Sequence, residues 1–368
     1  MRVVHIARGL VDYVSGLVNA MAQVCETHVV VCQEDERMQE LLDPKVIVFR
    51  SGAPRVRDPR NVFSVGRIRR YLKQVQPDVV HFQSGVLWEL ALAKWLSGPL
   101  SVATVHDVAK HPDYAFSLYP HNLFYPHNLM GQLGRWVTGI IVHSPRLCDE
   151  ARRRFPHHAA RDRLFVVPHG AITRYGVGTA SFEPRNGGRI LFFGGLSKYK
   201  GVENLIKAEP LIRRQLPLAT IRIAGFSANP AYHGGLVIAG QRIELMSGHQ
   251  SDEAVAQLFK WADVLVLPYI EASQSGVLLL GMAFGVPPVV TNVGGLPDVV
   301  VHESNGLLVP PHDVEALADA VVRLLSEQEL RRRVIDNLAR EAGSTYSWRS
   351  IAARTVEVYS QLAETRRT

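Results

Sequence analysis

Long apolar runs are missing from this chain of 368 residues, and none approaches the ~18–20 consecutive apolar positions that a membrane-spanning helix requires. Cysteine is scarce as well: Cys25, Cys32 and Cys148 are odd in number and scattered, which argues against a disulfide framework or a zinc ribbon. Met1–Ala7 passes straight into a short strand pattern without the apolar core and cleavage site of a secretory leader, so a cytoplasmic protein is expected. Helix-turn-helix, zinc-finger and RNA-recognition signatures are lacking, and with them the grounds for a nucleic-acid partner. So are the Gly-x4-Gly-Lys-Ser/Thr spacing of a P-loop and the His-x3-His spacing of a helical zinc site. No metal is expected. Gln274-Ser275-Gly276 does not complete a Gly-x-Ser-x-Gly nucleophile elbow either, because Ser273 stands where the leading glycine belongs.

What is present is globular. A hydrophobic content of 47% with 20% charged residues excludes wholesale disorder, and the length calls for two domains rather than one core. The net charge of +7 comes from clusters in helix-like segments: Arg67, Arg69, Arg70 and Lys73; Arg152–Arg154; Arg331–Arg333; and Arg366-Arg367. Peripheral contact with an anionic membrane surface and ordinary solvated helix faces are the competing readings of these clusters.

Short Val- and Ile-rich runs alternate with amphipathic stretches in the first half. Val3–Ile6, Val29–Cys32, Val46–Phe49, Val79–Phe82, Val102–Val105, Ile140–His143 and Phe165–Val167 read as buried parallel strands. Tyr13–Cys25, Val65–Gln74 and Val86–Leu96 read as helices between them. A break rich in glycine and proline follows, through Pro168-His169-Gly170, Gly176, Gly178, Pro184 and Asn186–Gly188, and reads as a linker. The alternation then restarts with strands at Arg189–Phe193, Thr220–Ala224, Ile243–Leu245, Val264–Leu267 and Pro288–Thr291. Helices are expected at Val202–Leu216, Asp252–Ala262, Gly276–Phe284, Asp313–Ser326 and Ser347–Glu364. The fold class is therefore α/β with doubly wound open sheets, whose ligands bind beyond the carboxyl ends of the strands. Two such halves joined by a hinge place the ligand in the cleft between them.

The stretch from Pro268 to Pro287 organises the second half. Strand, small-residue loop, helix and strand make a βαβ unit, and Ser275-Gly276 at the helix start leaves backbone N–H groups and a positive dipole end facing a phosphate-sized anion. Gly194-Gly195 and Lys200-Gly201 follow the first strand of this half. The glycines permit close backbone approach, and the Lys200 ammonium is either a pyrophosphate partner or a solvated charge. Asp298, after Gly294-Gly295-Leu296-Pro297, is either a hydroxyl-binding carboxylate or a helix N-cap. His106, with Asp107 to orient it, closes a strand of the first half at the ligand-binding edge, suited to hydrogen-bonding a bound group. His111, His121 and His127 follow it as loop residues.

Together these pieces resemble the retaining, nucleotide-sugar-dependent glycosyltransferases of GT-B architecture, the glycosyltransferase 4 group. The matching residues are Thr104–Asp107, Val166–Gly170, Phe193–Leu196 with Lys200-Gly201, Ala262–Pro268, Gly281–Pro287, Val293–Asp298 and Gly306–Pro310. The resemblance implies two Rossmann-like domains facing across a cleft. Residues 1–175 would hold the acceptor, 186–345 the nucleotide sugar, and 346–368 a helix crossing back onto the first domain. It implies transfer with retention and without a bound metal, from a nucleotide-diphosphate sugar to a glycan or lipid-linked acceptor in bacterial polysaccharide or glycoconjugate synthesis, at the inner face of the cell membrane. His106, Lys200 and Glu271 would be catalytic. Gly9, Gly194, Gly195, Ser273, Gln274, Ser275, Gly276, Val277 and Asp298 would bind the donor.

The chain departs from that pattern. Ala272 and Leu280 stand where the group carries its paired glutamates, with Glu271 adjacent to the first. Gly195 replaces a phosphate-clamping arginine, and Gly9 is the nearest match to the glycine pair after the first strand. Ala272–Val277 resembles an Ala-Ser/Thr-Gln-Ser-Gly-Val variant of cell-surface polysaccharide transferases, in which serine hydroxyls and backbone amides take over binding. A GT-B homologue with degraded catalysis, acting as a partner or regulatory subunit, is the alternative these departures raise. An epimerase or phosphorylase of similar architecture is a more distant one.

Overall fold

The structure is a computed structural model, and it describes residues 1–32, 36–52, 58–83, 87–108, 136–175, 187–226 and 242–367. His111, His121 and His127, and the linker residues Gly176, Gly178, Pro184 and Asn186, lie outside the described residues. Of the described residues, those up to Gly170 and those from Thr345 onward form one compact unit, and Ala171–Ser344 form a second.

The first unit is built on seven parallel strands in the order β3-β2-β1-β4-β5-β6-β7. They are β1 (Arg2–Ala7), β2 (Glu26–Val31), β3 (Ile47–Arg50), β4 (Val79–Phe82), β5 (Leu100–Thr104), β6 (Gly139–Val142) and β7 (Leu164–Val166). Both faces of the sheet are covered, so the central strands are apolar at successive positions. Val4, Ile6, Val30, Val80 and Phe82 pack on one side. Val3, Ala7, Val29, Val31 and Val79 pack on the other, against helix Val11–Met21 and the C-terminal helix Trp348–Arg367. That last helix buries Ile351, Tyr359 and Leu362 in the first unit's core.

The second unit has six strands in the order β10-β9-β8-β11-β12-β13: β8 (Arg189–Phe193), β9 (Thr220–Gly225), β10 (Ile243–Ser247), β11 (Val264–Leu267), β12 (Pro288–Thr291) and β13 (Leu307–Val309). All their pairings are parallel. The strand order reverses between β1 and β4 in one sheet and between β8 and β11 in the other, and such reversals open the crevices that hold ligands in open α/β sheets. The fold class is thus α/β with two Rossmann-like parallel sheets.

Three differences from the sequence pattern have physical causes. β3 sits at a sheet edge, so Ile47 and Val48 are 46% and 39% exposed, although their composition reads as buried. β13 and helix Gln328–Gly343 carry no independent signal: the strand is three residues long, and the helix is polar apart from Leu330, Val334, Ile335 and Leu338 on its inner face. Arg331 lies on that inner face at 2% exposure, and burial lowers its basicity. The triplet Arg331–Arg333 is therefore not one solvated patch.

Candidate active site

The second unit brings most of the expected donor-binding residues together because their loops leave adjacent strands at the reversal point. The loop after β8 carries Gly194, Gly195 and Lys200, and the loop after β11 carries Glu271–Ser275. Main-chain hydrogen bonds tie them: Ile270 N–H donates to the Tyr199 carbonyl at 2.7 Å, and Glu271 N–H points at the same oxygen at 3.4 Å. Gly201 has a left-handed φ of 63° and lies so close to the Pro268 carbonyl that a Cβ there would stand 2.0 Å from its oxygen. Only glycine permits that approach. A Cβ on Gly194 would stand 3.5 Å from Val277, so the loop after β8 lies close to the start of helix Gly276–Ala283.

Lys200 reaches the second loop through an aromatic ring. Its Nζ stands 3.8 Å from the centre of Tyr269 and 5.0 Å from that of Tyr199, at cation–π distance. Tyr269 is fully buried. Its hydroxyl lies 3.3 Å from Ser275 Oγ and its carbonyl accepts from Thr291 Oγ1 at 2.6 Å. Burial pushes its phenol up to about 12, against the pull of the Ser275 hydroxyl. It is a neutral spacer holding the ammonium near the start of helix Gly276–Ala283.

That helix begins on a serine cap. Ser275 Oγ accepts from Leu278 N–H at 3.2 Å and the Ser275 carbonyl from Leu279 N–H at 3.3 Å. The N–H groups of Gly276 and Val277 have no acceptor within the helix, and they face outward with the positive end of the dipole. Ser275, at 6% exposure, is thus engaged in the cap, whereas Ser273, Gln274 and Val277 are half-buried and Gly276 is exposed. The loop after β12 closes on the cradle: Gly295 N–H donates to the Ser273 carbonyl at 3.2 Å. Gly294, at φ 51°, passes so near the Ala272 carbonyl that any side chain collides with it. Asp298 ends the short 3₁₀ turn Leu296–Asp298 and is partly exposed. Glu271 is exposed, Gly195 is exposed with the Phe226 carbonyl oxygen 3.9 Å from where its Cβ would stand, and Leu280 is buried at 3%.

Gly9 and His106 belong to the first unit. Gly9 has a positive φ and open space around it, in the turn from β1 to helix Val11–Met21. His106 lies just beyond β5, and its neighbours form an aromatic group that no local sequence pattern assembles. β5, β6 and β7 lie side by side, and His106, His143 and His169 follow them by one to three residues. Parallel strands ~4.8 Å apart bring the imidazoles together, with ring centres 4.7 Å apart for His106–His143 and 5.6 Å for His143–His169. Tyr13 lies 4.7, 5.1 and 4.9 Å from the three rings, and Trp348 packs on Tyr13 and His169. His143 Nε2 is 2.9 Å from His106 Nδ1, and His143 Nδ1 is 3.0 Å from the Val167 carbonyl. Burial depresses all three imidazoles: His143 to about 4, His169 to about 3, and His106 well below its ordinary range with help from the neighbouring histidines. The available signal for His143 was its place at the carboxyl end of a parallel strand.

A separate cavity of about 380 Å³, lined by Arg69, Lys73, Trp95 and Pro99 among others, lies at the opposite, amino-terminal edge of β4 and β5. No group of metal-binding side chains occurs among the described residues, and no helix among them is long and apolar enough to cross a membrane.

Each half of the chain matches a family model. Residues 7–174 match "Glycosyltransferase Family 4" and residues 187–327 match "Glycosyl transferases group 1". With the two-sheet fold, these matches place the chain among the glycosyltransferases of GT-B type. Among its relatives, an uncharacterized glycosyltransferase of Methanocaldococcus jannaschii is 37% identical over 172 residues, 46% of this chain and 44% of that protein. The glycogen synthase of Mycobacterium tuberculosis is 28% identical over 294 residues, 77% of this chain and 69% of its own length. The fold is similar to that of HepE from Anabaena, solved with UDP and glucose, at a TM-score of 0.70 and 17% identity, covering 98% of this chain and all of the other.

Proposed function

We propose that the protein transfers a hexose-type sugar, with retention and without a bound metal, from a nucleotide-diphosphate sugar to a glycan or lipid-linked acceptor. The observation that carries this reading is the convergence of the Lys200 ammonium, through Tyr269, on the open start of helix Gly276–Ala283. A cation and a helix N-terminus on one side of a pyrophosphate stabilise the charge that develops as the nucleotide leaves. Ser273, Gln274 and the amides of Gly276 and Val277 supply the remaining donor contacts, with Gly194, Gly195 and Gly9 admitting the ligand close to the backbone. His106 and Glu271 address the sugar, and Asp298 a hydroxyl.

Bacterial polysaccharide or glycoconjugate synthesis on the cytoplasmic face of the membrane is the setting this chemistry suits. The Arg69–Lys73–Trp95 surface provides a basic, aromatic-edged contact for anionic headgroups. The test is a panel of nucleotide sugars, read by slow donor hydrolysis and by thermal shift. A donor that stabilises the protein and is hydrolysed by it supports the reading. Intact protein that responds to none supports instead a non-catalytic partner, the reading favoured by Leu280 and Gly195 in place of charged groups.

A further inference from the structure

We propose that His143 is a positioning residue that fixes the tautomer of His106, so that His106 keeps a bare, hydrogen-bond-accepting Nε2 lone pair. The assignment follows from what each partner is able to do. The Val167 carbonyl only accepts, so His143 Nδ1, 3.0 Å away, carries a proton. His143 is 4% exposed and burial holds it neutral at pH 7, so that proton is its only one. Its Nε2 is therefore a lone pair, and His106 Nδ1 at 2.9 Å must donate to it. His106 is also held neutral, which leaves Nε2 unprotonated. That atom is buried with no hydrogen-bond partner among the described residues.

The competing arrangement protonates His106 at Nε2 instead, and the Gln83 main-chain carbonyl is the group that favours a protonated His106. That arrangement would force His143 to donate from both ring nitrogens at once, as a buried cation facing His106 and His169. Asp107 is the one group drawing His143 toward that state besides the Val167 carbonyl, and desolvation outweighs both.

The consequence is chemical selectivity. A bare imidazole nitrogen accepts a hydrogen bond from a hydroxyl and repels a phosphate or carboxylate oxygen. A ligand group that reaches His106 Nε2 must therefore be a hydrogen-bond donor such as a hydroxyl, and His106 takes no part in neutralising the pyrophosphate. The identification of that hydroxyl as a sugar's rests on the function proposed above; the tautomer does not.

The decisive measurement is long-range ¹H–¹⁵N correlation on the full chain with ¹⁵N-histidine at pH 7.5, with His106 assigned by loss of its signals in His106→Asn. The expected result is a protonated Nδ1 and an unprotonated Nε2. A wild-type spectrum showing Nε2–H on His106 overturns the proposal without any variant being needed. His143→Gln offers an amide oxygen to His106 and an amide N–H to Val167, and keeps the tautomer. His143→Phe keeps the volume but removes the acceptor, releases His106 to the other tautomer, and lowers kcat/KM for the donor by ~10-fold or more relative to His143→Gln. An unchanged tautomer in folded His143→Phe also overturns it. If no nucleotide sugar binds but the tautomer is as stated, the proposed function fails and this inference stands.

Discussion

Lys200 holds its ammonium 3.8 Å from the centre of the Tyr269 ring, and this contact sets where the positive charge of the cradle lies. Lys200→Ala is expected to reduce kcat/KM for the donor ~100-fold or more, with little change in melting temperature because the side chain is only half-buried. Donor hydrolysis measured beside a thermal melt checks both halves of the statement. Turnover near that of the wild type would remove Lys200 from the phosphate site.

The two serines of the cradle separate by role. Ser275→Ala deletes the cap on Leu278 N–H and is expected to cost about 1 kcal/mol of stability. Ser273→Ala removes no helix cap; it is expected to cost less stability than Ser275→Ala and to raise the dissociation constant of the donor. Urea titration and calorimetric binding on the same two proteins distinguish them. Equal stability losses would contradict the assignment.

Gly294 and Gly9 both have positive φ, but their surroundings differ. A Cβ on Gly294 would overlap the Ala272 carbonyl, whereas one on Gly9 meets nothing within 4 Å. Gly9→Ala is expected to cost only the left-handed backbone penalty, ~1–2 kcal/mol. Gly294→Ala should cost more and displace the Ala272-Ser273 backbone, abolishing donor-induced thermal shift. Similar melting temperatures for the two variants would refute the contrast.

Buried histidines make the first unit acid-labile. His5 is depressed to about 3, His143 to about 4 and His169 to about 3, chiefly by desolvation. Unfolded, each titrates near about 6.5. Below that pH the unfolded chain binds protons that the folded chain does not, so stability is fully present above it and falls as pH drops toward the folded values. Each group contributes a slope of ~1.4 kcal/mol per pH unit in that window. Urea midpoints should drop steeply from pH 7 to pH 5.5, before exposed carboxylates titrate. A flat profile over that range would show that these histidines charge freely in the fold.

The strands were legible because parallel strands covered on both faces must be apolar at successive positions, and Val264–Leu267 and Pro288–Thr291 have the bounds their sequence indicates. The edge position of β3 was not legible, because sheet order rather than composition decides it: Ile47 and Val48 read as buried yet face water. Within the site, the loop with Lys200 and the serine-capped helix were readable from glycine and serine placement. The Tyr269 spacer was not, because a buried tyrosine after a strand looks like core. Nor was the His106–His143–His169 group, since its members are brought together by strand order, a property no local pattern encodes. Ser275 was recognised as part of the cradle, but its commitment to the cap depends on the rotamer.

The C-terminal helix completes the core of the unit that the N-terminus begins, with Trp348 pressed against the backbone at Gly16 and Gly170. On the ribosome, the first sheet therefore emerges long before the surface that seals it. At ~5–20 residues per second, the apolar face of helix Val11–Met21 waits on the order of tens of seconds, while the whole second unit is made. The nascent chain carries an open core through that interval. Chaperone dependence should track the arrival of Ile351, Tyr359 and Leu362 rather than completion of the first sheet.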